Sequence, residues 1–578
     1  MTRIQIDLQH IKMTDTKIVF VTGGVCSSIG KGVLITAIGV LLKNAGHSVS
    51  VMKWDPYLNV DPGTMSPTVH GEVFITADGA ETDLDLGHYE RHLDITLTRD
   101  SSMTAGQVYQ EVLTGERAGR YLGQNVQVIP HVVNIIKERL LKFVVAAKVD
   151  FVLIEIGGTV GDIEADIFLE AVRQLRMDLG CKHVMHGHLS YVPCLSWSDD
   201  VKTKPTQHSV IALKRAGLVP DSLFLRADKA LTVQQLQKLS VLCSVPAEMI
   251  FQVLTHDPMY ELFFDLAAQS LTVKIQEYFD IKSIRLPDLA EWEAYVHTIK
   301  TSTVPLSVGL IVKYAGNDDP YISVIDALRA AAYHAGRKID LVVIAAENLE
   351  QSVDNPLYDY AMSQLQSVAG IVVPGGFGRR GVEGKIIAAQ FARENKVPFL
   401  GLCLGMQVMV IEAARSLLGL PQANSLEFDE LTPDPVVTLM EQQKGVAAFG
   451  GTMRLGSYSC TLLPGSKAQQ AYDTMHVVER HRHRFEINNM YRERLVAEGV
   501  VFSGINKELE LIEITEINGH PFMVGSQFHP EFTSSPLKVN PLFRAFIEAA
   551  SIRHDQVFAT LNVVPTGNHV QKNGPCFC

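Results

Sequence analysis

Phe151-Val152-Leu153-Ile154-Glu155-Ile156 is apolar at five of six positions, with no polar face until Glu155. A strand of that kind has both faces covered, which is the situation in a parallel sheet flanked by helices. Ile18–Val21 is a second such run. After it come a glycine-rich loop, a helical stretch from Lys31 to Asn44 that stops at Gly46, and a further strand over Ser48–Lys53. Strand, loop, helix and strand close one βαβ unit, so the first half is predicted to be an α/β domain.

The alternation fades after Ile281 and restarts with strand candidates at Ser307–Lys313, Leu341–Ile344, Ile371–Val373 and Pro398–Leu402. At 578 residues the chain is too long for one core. The expected division is an N-terminal extension over 1–16, a first domain over 17–282, a linker over 283–304, a second domain over 305–556 and a disordered tail over 557–578. A net charge of −12 argues against nucleic acid as the main partner, since phosphate backbones require clustered Lys and Arg. No apolar run reaches membrane-spanning length and the N-terminus has no signal-peptide core, so a cytoplasmic protein is expected. The 8 cysteines form no C-x-x-C pair and are read as free thiols.

The loop Gly23-Gly24-Val25-Cys26-Ser27-Ser28-Ile29-Gly30-Lys31-Gly32 is close to a phosphate-binding loop but departs from G-x-x-x-x-G-K-[ST]. Five residues separate Gly24 from Gly30, and Gly32 stands where a Mg²⁺-binding hydroxyl is usual. Backbone N–H groups at a helix start still favour an anion, and Lys31 adds a mobile charge. A tight βα turn holding nothing is the alternative for this stretch alone. A metal would then need carboxylates, and Asp83 and Asp85 in DGAETDLDLG and Glu155 at a strand end are candidates. Lys202-Thr203-Lys204-Pro205-Thr206-Gln207 is read as a compact loop suited to a triphosphate, or else as solvated lysines.

In the second half, Gly401-Leu402-Cys403-Leu404-Gly405 places a thiol between glycines, after a strand and before a helix. That is the cysteine form of a nucleophile elbow. His529 in Gln527-Phe528-His529-Pro530-Glu531 supplies a base. Glu531 is expected on the same side of an extended segment, where it orients the ring. Pro374-Gly375-Gly376-Phe377-Gly378 offers backbone N–H groups for an oxyanion hole.

PGGFG, GLCLGMQ and FHPEF closely resemble the class I glutamine amidotransferase domain. TGGVCSSIGKG, MKWDPYLNVDPGTMSP, HGEVFITADGAETDLDLGHYER, LIEIGGTVGDIE and VKTKPTQHS resemble the synthetase half of the CTP synthase family, and the likeness runs over about residues 17–548. The resemblance implies two doubly wound α/β domains, an N-terminal P-loop-like synthetase domain and a C-terminal class I glutamine amidotransferase domain. It implies ATP-dependent amination of UTP to CTP, with glutamine hydrolysed through a thioester at Cys403 and a triad completed by His529 and Glu531.

By the same resemblance, Ser28, Ile29, Gly30, Lys31, Gly32, Val33, Lys53 and Asp85 bind ATP, and Asp85 and Glu155 hold Mg²⁺. Ser27, Asp162, Ile163, Glu164, Lys202, Thr203, Lys204, Pro205, Thr206, Gln207 and Lys238 form the UTP pocket, where CTP binds as product inhibitor. Gly376, Leu404, Gln407, Glu427 and Arg484 grip glutamine. GTP is implied as allosteric activator, with Gly450-Gly451-Thr452-Met453-Arg454-Leu455-Gly456 resembling part of the responsive region. A homotetramer that can form filaments is implied as well.

Some features depart from the family. Cys26 stands in the phosphate loop where an aliphatic residue is expected, and as an exposed thiol it would sensitise the enzyme to oxidation. His186 is read as a surface histidine in preference to a metal ligand. Two rival readings are a cobyrinate-type amidase of the same architecture and a nucleotide-binding filament protein without turnover. The Glu of H-P-E and the KTKPTQ run argue against the first, and the intact triad argues against the second.

Overall fold

The computed structural model describes residues 8–9, 15–195, 200–314, 316, 319–350, 356–440 and 453–561. Ser196 to Asp199, Gly450 to Thr452, the Cys576-Phe577-Cys578 end and most of the N-terminal 16 residues lie outside these.

The first half is built on seven strands: β1 (Lys17–Gly24), β2 (Val49–Asp55), β3 (Ser102–Thr104), β4 (Phe151–Ile156), β5 (Val184–Tyr191), β6 (Ser222–Ala227) and β7 (Ile250–Leu254). They lie in the order β7-β6-β5-β1-β4-β2-β3, every pair parallel. Alternate residues of β1 enter different cores. Val19 and Val21 pack on one face with Leu34 and Ile38 of helix α1 (Lys31–Asn44), while Ile18 and Phe20 pack on the other with Ile136 and Phe168. Each fully buried Leu, Ile or Phe in these layers contributes about 1.5–3 kcal/mol relative to exposure. The sheet is thus covered on both sides, as the unbroken apolar runs require. Strands β2 to β4 lie on one side of β1 and β5 to β7 on the other, so the strand order reverses at β1. In open α/β sheets that crevice is where ligands bind.

The second half carries nine strands: β8 (Val304–Val312), β9 (Arg337–Ala345), β10 (Gly370–Val373), β11 (Phe399–Leu402), β12 (Arg454–Leu462), β13 (His476–His483), β14 (Val500–Asn506), β15 (Leu511–Ile517) and β16 (Met523–Ser526). Their order is β9-β8-β10-β11-β16-β15-β14-β12-β13, parallel from β9 to β16 and antiparallel beyond. Its faces are also separately packed, Ile371 and Phe399 on one side and Val372 and Leu400 on the other.

The stretch read as a linker holds a helix, Ala290–Thr301. Trp292 and Tyr295, three residues apart, form an apolar stripe that propensity alone understates. Trp292 stacks on Tyr260 of the first half at 5.3 Å, and Tyr295 on His334 of the second at 5.6 Å. The two halves also join through Arg480–Glu90 at 2.7 Å, Arg482–Glu81 at 2.8 Å, and Phe74 against Phe532 at 5.1 Å.

Candidate functional site

The thiol site sits at the carboxyl ends of β10, β11 and β16. Cys403 follows β11 directly at φ 53°, a left-handed conformation that costs a non-glycine residue about 1–3 kcal/mol and marks a functional turn. Its amide donates to Ser526 O at 2.7 Å, fixing the turn from the neighbouring strand. The glycines around it are spatial necessities. A Cβ on Gly405 would run into Val373 O, and one on Gly401 would lie 2.6 Å from Gly405 C.

His529 reaches the same point from the loop after β16. Its Nδ1 lies 2.6 Å from Glu531 Oε1, and its buried Nε2 has no hydrogen-bond partner among the described residues. Pro530 turns the chain into a 3₁₀ helix over Pro530–Thr533, so Glu531 is not on an extended segment as expected from sequence. Proline opens such a turn because its φ is already helical and it has no N–H to satisfy. Burial disfavours the imidazolium, but Glu531 and the neighbouring Cys403 outweigh it, and the ring is pushed up to about 10.

The 374–378 loop packs against both groups: a Cβ on Gly375 would stand 3.1 Å from His529 Cε1 and 3.7 Å from Cys403 Cβ. Gln407 Nε2 donates to Phe485 O at 3.0 Å, and Glu427 Oε1 accepts from Gly378 N at 2.7 Å. Leu404 is buried beside Gly376, and the Arg484 carbonyl accepts from Met440 N. Gly376, Leu404, Gln407 and Glu427, four of the five residues assigned to glutamine, thus gather around the Cys403 turn and the 374–378 loop.

Sequence reading missed two lysines beneath that loop. Lys385, fully buried, donates to Pro374 O at 2.7 Å and Gly375 O at 3.4 Å. Burial holds its amine well below the ordinary range. Lys313 at the end of β8 donates to Phe377 O at 2.8 Å and to Gly378 O, with its pKa lowered to about 8 by burial. A polar residue closing a buried apolar strand was the available signal for Lys313, as it was for Glu155.

The phosphate site lies at the carboxyl end of β1. Val25, Ser28 and Gly30 all have positive φ, which curls the loop above helix α1. Lys31 Nζ donates to Gly158 O at 2.9 Å, holding the amine over the loop. Lys53, 5% exposed, bonds Asp85 and lies 2.9 Å from Glu155 and 3.9 Å from Asp55. Asp85 opens a helix over Asp85–Leu93, and Tyr89 of that helix donates to Glu155.

Two carboxylates beside a phosphate loop match what Mg²⁺ takes from protein when phosphates and water complete its shell. A Cβ on Gly32 would stand 2.9 Å from Asp85 Oδ1 and 3.4 Å from Glu155 Oε2, so both face the loop, and Asp55 Oδ2 is buried without a hydrogen-bond partner among the described residues. The donor set fits a hard cation.

Lys202 to Gln207 is not a loop throughout. Thr203 caps and Lys204 begins a helix, Lys204–Arg215, whose start is favoured by Pro205 in its first turn. Thr206 and Gln207 are buried, with Gln207 Nε2 donating to Thr203 Oγ1 at 3.1 Å. Ser27, Asp162, Ile163, Glu164 and Lys238 are exposed, Ile163 by 80%. Among the described residues no ion pair ties Lys238 to Asp162 or Glu164.

His186 is not a surface histidine. It and His188 are both fully buried and share Thr22 Oγ1 at 2.9 Å each, while His188 Nε2 meets Ser209 Oγ at 2.8 Å. Burial holds both rings neutral. The imidazoles are core polar groups because strand β5 is covered on both faces. Cys26 is exposed, as its loop position suggested. Of the segment linked to GTP, Arg454 is buried between Glu486 at 3.1 Å and Glu513 at 2.7 Å.

With this geometry in hand, a family model described as CTP synthase N-terminus matches residues 17–281, and one described as Glutamine amidotransferase class-I matches residues 318–549. The CTP synthase of Dehalococcoides mccartyi is 50% identical over 535 residues, covering 93% of this chain and 97% of that protein. The chain belongs to the CTP synthase family. Other CTP synthases match as fully. That of Halalkalibacterium halodurans is 47% identical, with 93% of this chain and 99% of that one covered. That of Carboxydothermus hydrogenoformans is 48% identical, with 94% and 100% covered. Among solved structures, the glutaminase domain of Trypanosoma brucei CTPS with bound acivicin is 35% identical, at a TM-score of 0.40, covering 43% of this chain and 94% of that one. No helix among the described residues is long and apolar enough to cross a membrane.

Proposed function

We propose that the chain converts UTP to CTP, taking nitrogen from glutamine at Cys403 and energy from ATP at the loop after β1. The observation that carries this reading is a cavity of about 80 Å³ between the halves. Cys403 and His529 line it from the second domain, and Pro67, Glu72 and Val73 from the first. That volume holds only a few water-sized guests. Ammonia released at the thiol would start in a space that the synthetase domain helps to wall, which suits its delivery to that domain.

The His529 imidazolium holds the proton taken from Cys403, and the thiolate attacks the glutamine amide carbon. Backbone N–H groups of the 374–378 loop and of the residue after Cys403 receive the oxyanion. His529 returns the proton to the departing nitrogen, and ammonia leaves. Water then hydrolyses the thioester, again with His529 as base. At the other site, Lys31 and Lys53 stabilise charge as the γ-phosphoryl group passes to O4 of UTP, which converts a poor leaving group into a good one. Ammonia displaces the phosphate at C4. Mg²⁺ held by Asp85 and Glu155 would neutralise phosphate charge.

Ser28 to Val33 cradle ATP, and Ser27, Asp162 to Glu164, Lys202 to Gln207 and Lys238 receive UTP. CTP competes there as inhibitor, and GTP activates allosterically. The working form is a cytoplasmic homotetramer that assembles into filaments, to be checked by sedimentation and light scattering. CTP formation from UTP, ATP and Mg²⁺ tests the whole reading. Wild type should use glutamine or ammonium, and Cys403→Ala ammonium alone, with glutamine-dependent synthesis down by about 10⁴-fold or more. No CTP from either nitrogen source would overturn it.

A further inference from the structure

Glu72 lines the same cavity as Cys403 and His529, yet the reaction above gives it nothing to do. It lies between the short helix Pro67–His70 and the strand Phe74–Ile75, and is 9% exposed. Its amide donates to Asp319 O at 3.0 Å, seating it on the domain boundary. Oε2 accepts from Ser323 Oγ, and that hydroxyl accepts from Arg91 Nη1 at 2.6 Å. Arg91 Nη2 lies 3.5 Å from Asp326. The guanidinium is therefore shared, and its bond to Glu72 runs through a hydroxyl. Oε1 has no hydrogen-bond partner among the described residues, so one oxygen is available to a guest.

The charged groups facing Glu72 are Arg91 from helix Asp85–Leu93, Asp326 behind it on helix Ile322–His334, and His529 and Glu531 across the cavity. Arg482 lines the same space. Burial pushes the Glu72 carboxyl up to about 7, against the smaller pull of Arg91. A carboxyl in that range takes and gives up a proton near neutrality.

The chemistry demands a base there. Each turnover of glutamine releases one proton with the glutamate carboxyl, and ammonia that takes up a proton on its way becomes ammonium, which is not a nucleophile. A buried, largely apolar route also penalises the cation. We propose that Glu72 is the proton acceptor at the mouth of the ammonia route, passing ammonia onward as the neutral molecule. An N–H bond of ammonium breaks with its electron pair staying on nitrogen, and an O–H bond forms on Glu72. The carboxyl later returns its proton to water as glutamate departs. This rests on the two-site reading above and assigns one residue of its connection.

The test counts CTP and glutamate formed in one reaction of the full-length enzyme, from about pH 6 to about pH 9, for wild type, Glu72→Gln and Glu72→Asp. Glutamate formation by Glu72→Gln should stay near wild type, while CTP per glutamate falls by about tenfold at neutral pH and recovers as the pH rises. Glu72→Asp should restore part of the ratio. An unchanged ratio in Glu72→Gln overturns the proposal. So does a loss that is equal at every pH and is not rescued by Glu72→Asp, because that is the mark of a purely structural role. If wild type itself forms glutamate and no CTP, the two-site reading has failed instead.

Discussion

The thiol site and the phosphate site are built to different degrees of completion. Cys403 is pinned through its amide, His529 is already paired with Glu531 at 2.6 Å, and the 374–378 loop packs against both. At the phosphate site Lys53 is committed to Asp85 and Glu155, and of the residues assigned to UTP, Ser27, Asp162, Ile163, Glu164 and Lys238 are exposed while Thr203, Thr206 and Gln207 are buried. The difference follows from the chemistry. A site that forms a covalent bond with its own nucleophile must hold that nucleophile in reach beforehand. A site that gathers two nucleotides must hold its own charges in check until the ligands bring theirs.

Lys31→Met breaks the comparison most sharply. It should cut CTP formation from glutamine and from ammonium by about 10³-fold, with glutamine hydrolysis near wild type. Parallel loss of hydrolysis would mean that the two sites are not separable. Glu531→Gln attacks the prebuilt side and should lower glutamine-dependent turnover by about 10²–10⁴-fold, with ammonium-dependent turnover retained.

The same substitution has a pH signature. His529 is raised in the folded protein from an ordinary value near 6.5 to about 10. Its pairing therefore stabilises the fold in full below about pH 6.5, and that contribution disappears as pH rises through about 10. Denaturation midpoints of wild type should fall over this interval and those of Glu531→Gln should fall less; parallel curves would count against the pair. Lys385→Met, which keeps the volume and removes the donor to Pro374 and Gly375, should lower kcat for glutamine by about tenfold with little change in KM. A KM effect alone would place Lys385 in binding. The smallest effect is expected from Cys26→Ala, with normal turnover in the absence of oxidant and lost sensitivity to thiol reagents. Inactivation like that of wild type would remove Cys26 as the cause.

What the sequence made legible was local. The helix Lys31–Asn44 and the strand Phe151–Ile156 have the bounds expected, because periodicity and the flanking glycines define them. Cys403, His529 and Glu531 could be named because each carries its reactivity in its own side chain and its neighbours. The antiparallel run β12 to β15 was not anticipated, since its residues mix charge with apolar alternation, as in His476–His483. Glu72 and Lys385 were equally hidden. Their roles depend on which atoms the other parts of the chain bring alongside, a contact that spacing along one segment does not encode. The lysine-rich run from Lys202 was read as a loop because its polarity outweighed the helix-starting value of Pro205.

Strand β13 does two jobs at once. The Arg482 carbonyl lies 3.8 Å from the Cys403 sulfur, while the side chains of Arg480 and Arg482 clamp Glu90 and Glu81 in the other half. The wall of one reaction chamber is thus also the bolt between the two. Halves transplanted between relatives would bring together clamp and socket shaped for different partners, and any misfit would be felt at the sulfur before it weakened the join. Such hybrids should be lost first as glutaminases and only later as assembled proteins, which ties the inheritance of the two halves together.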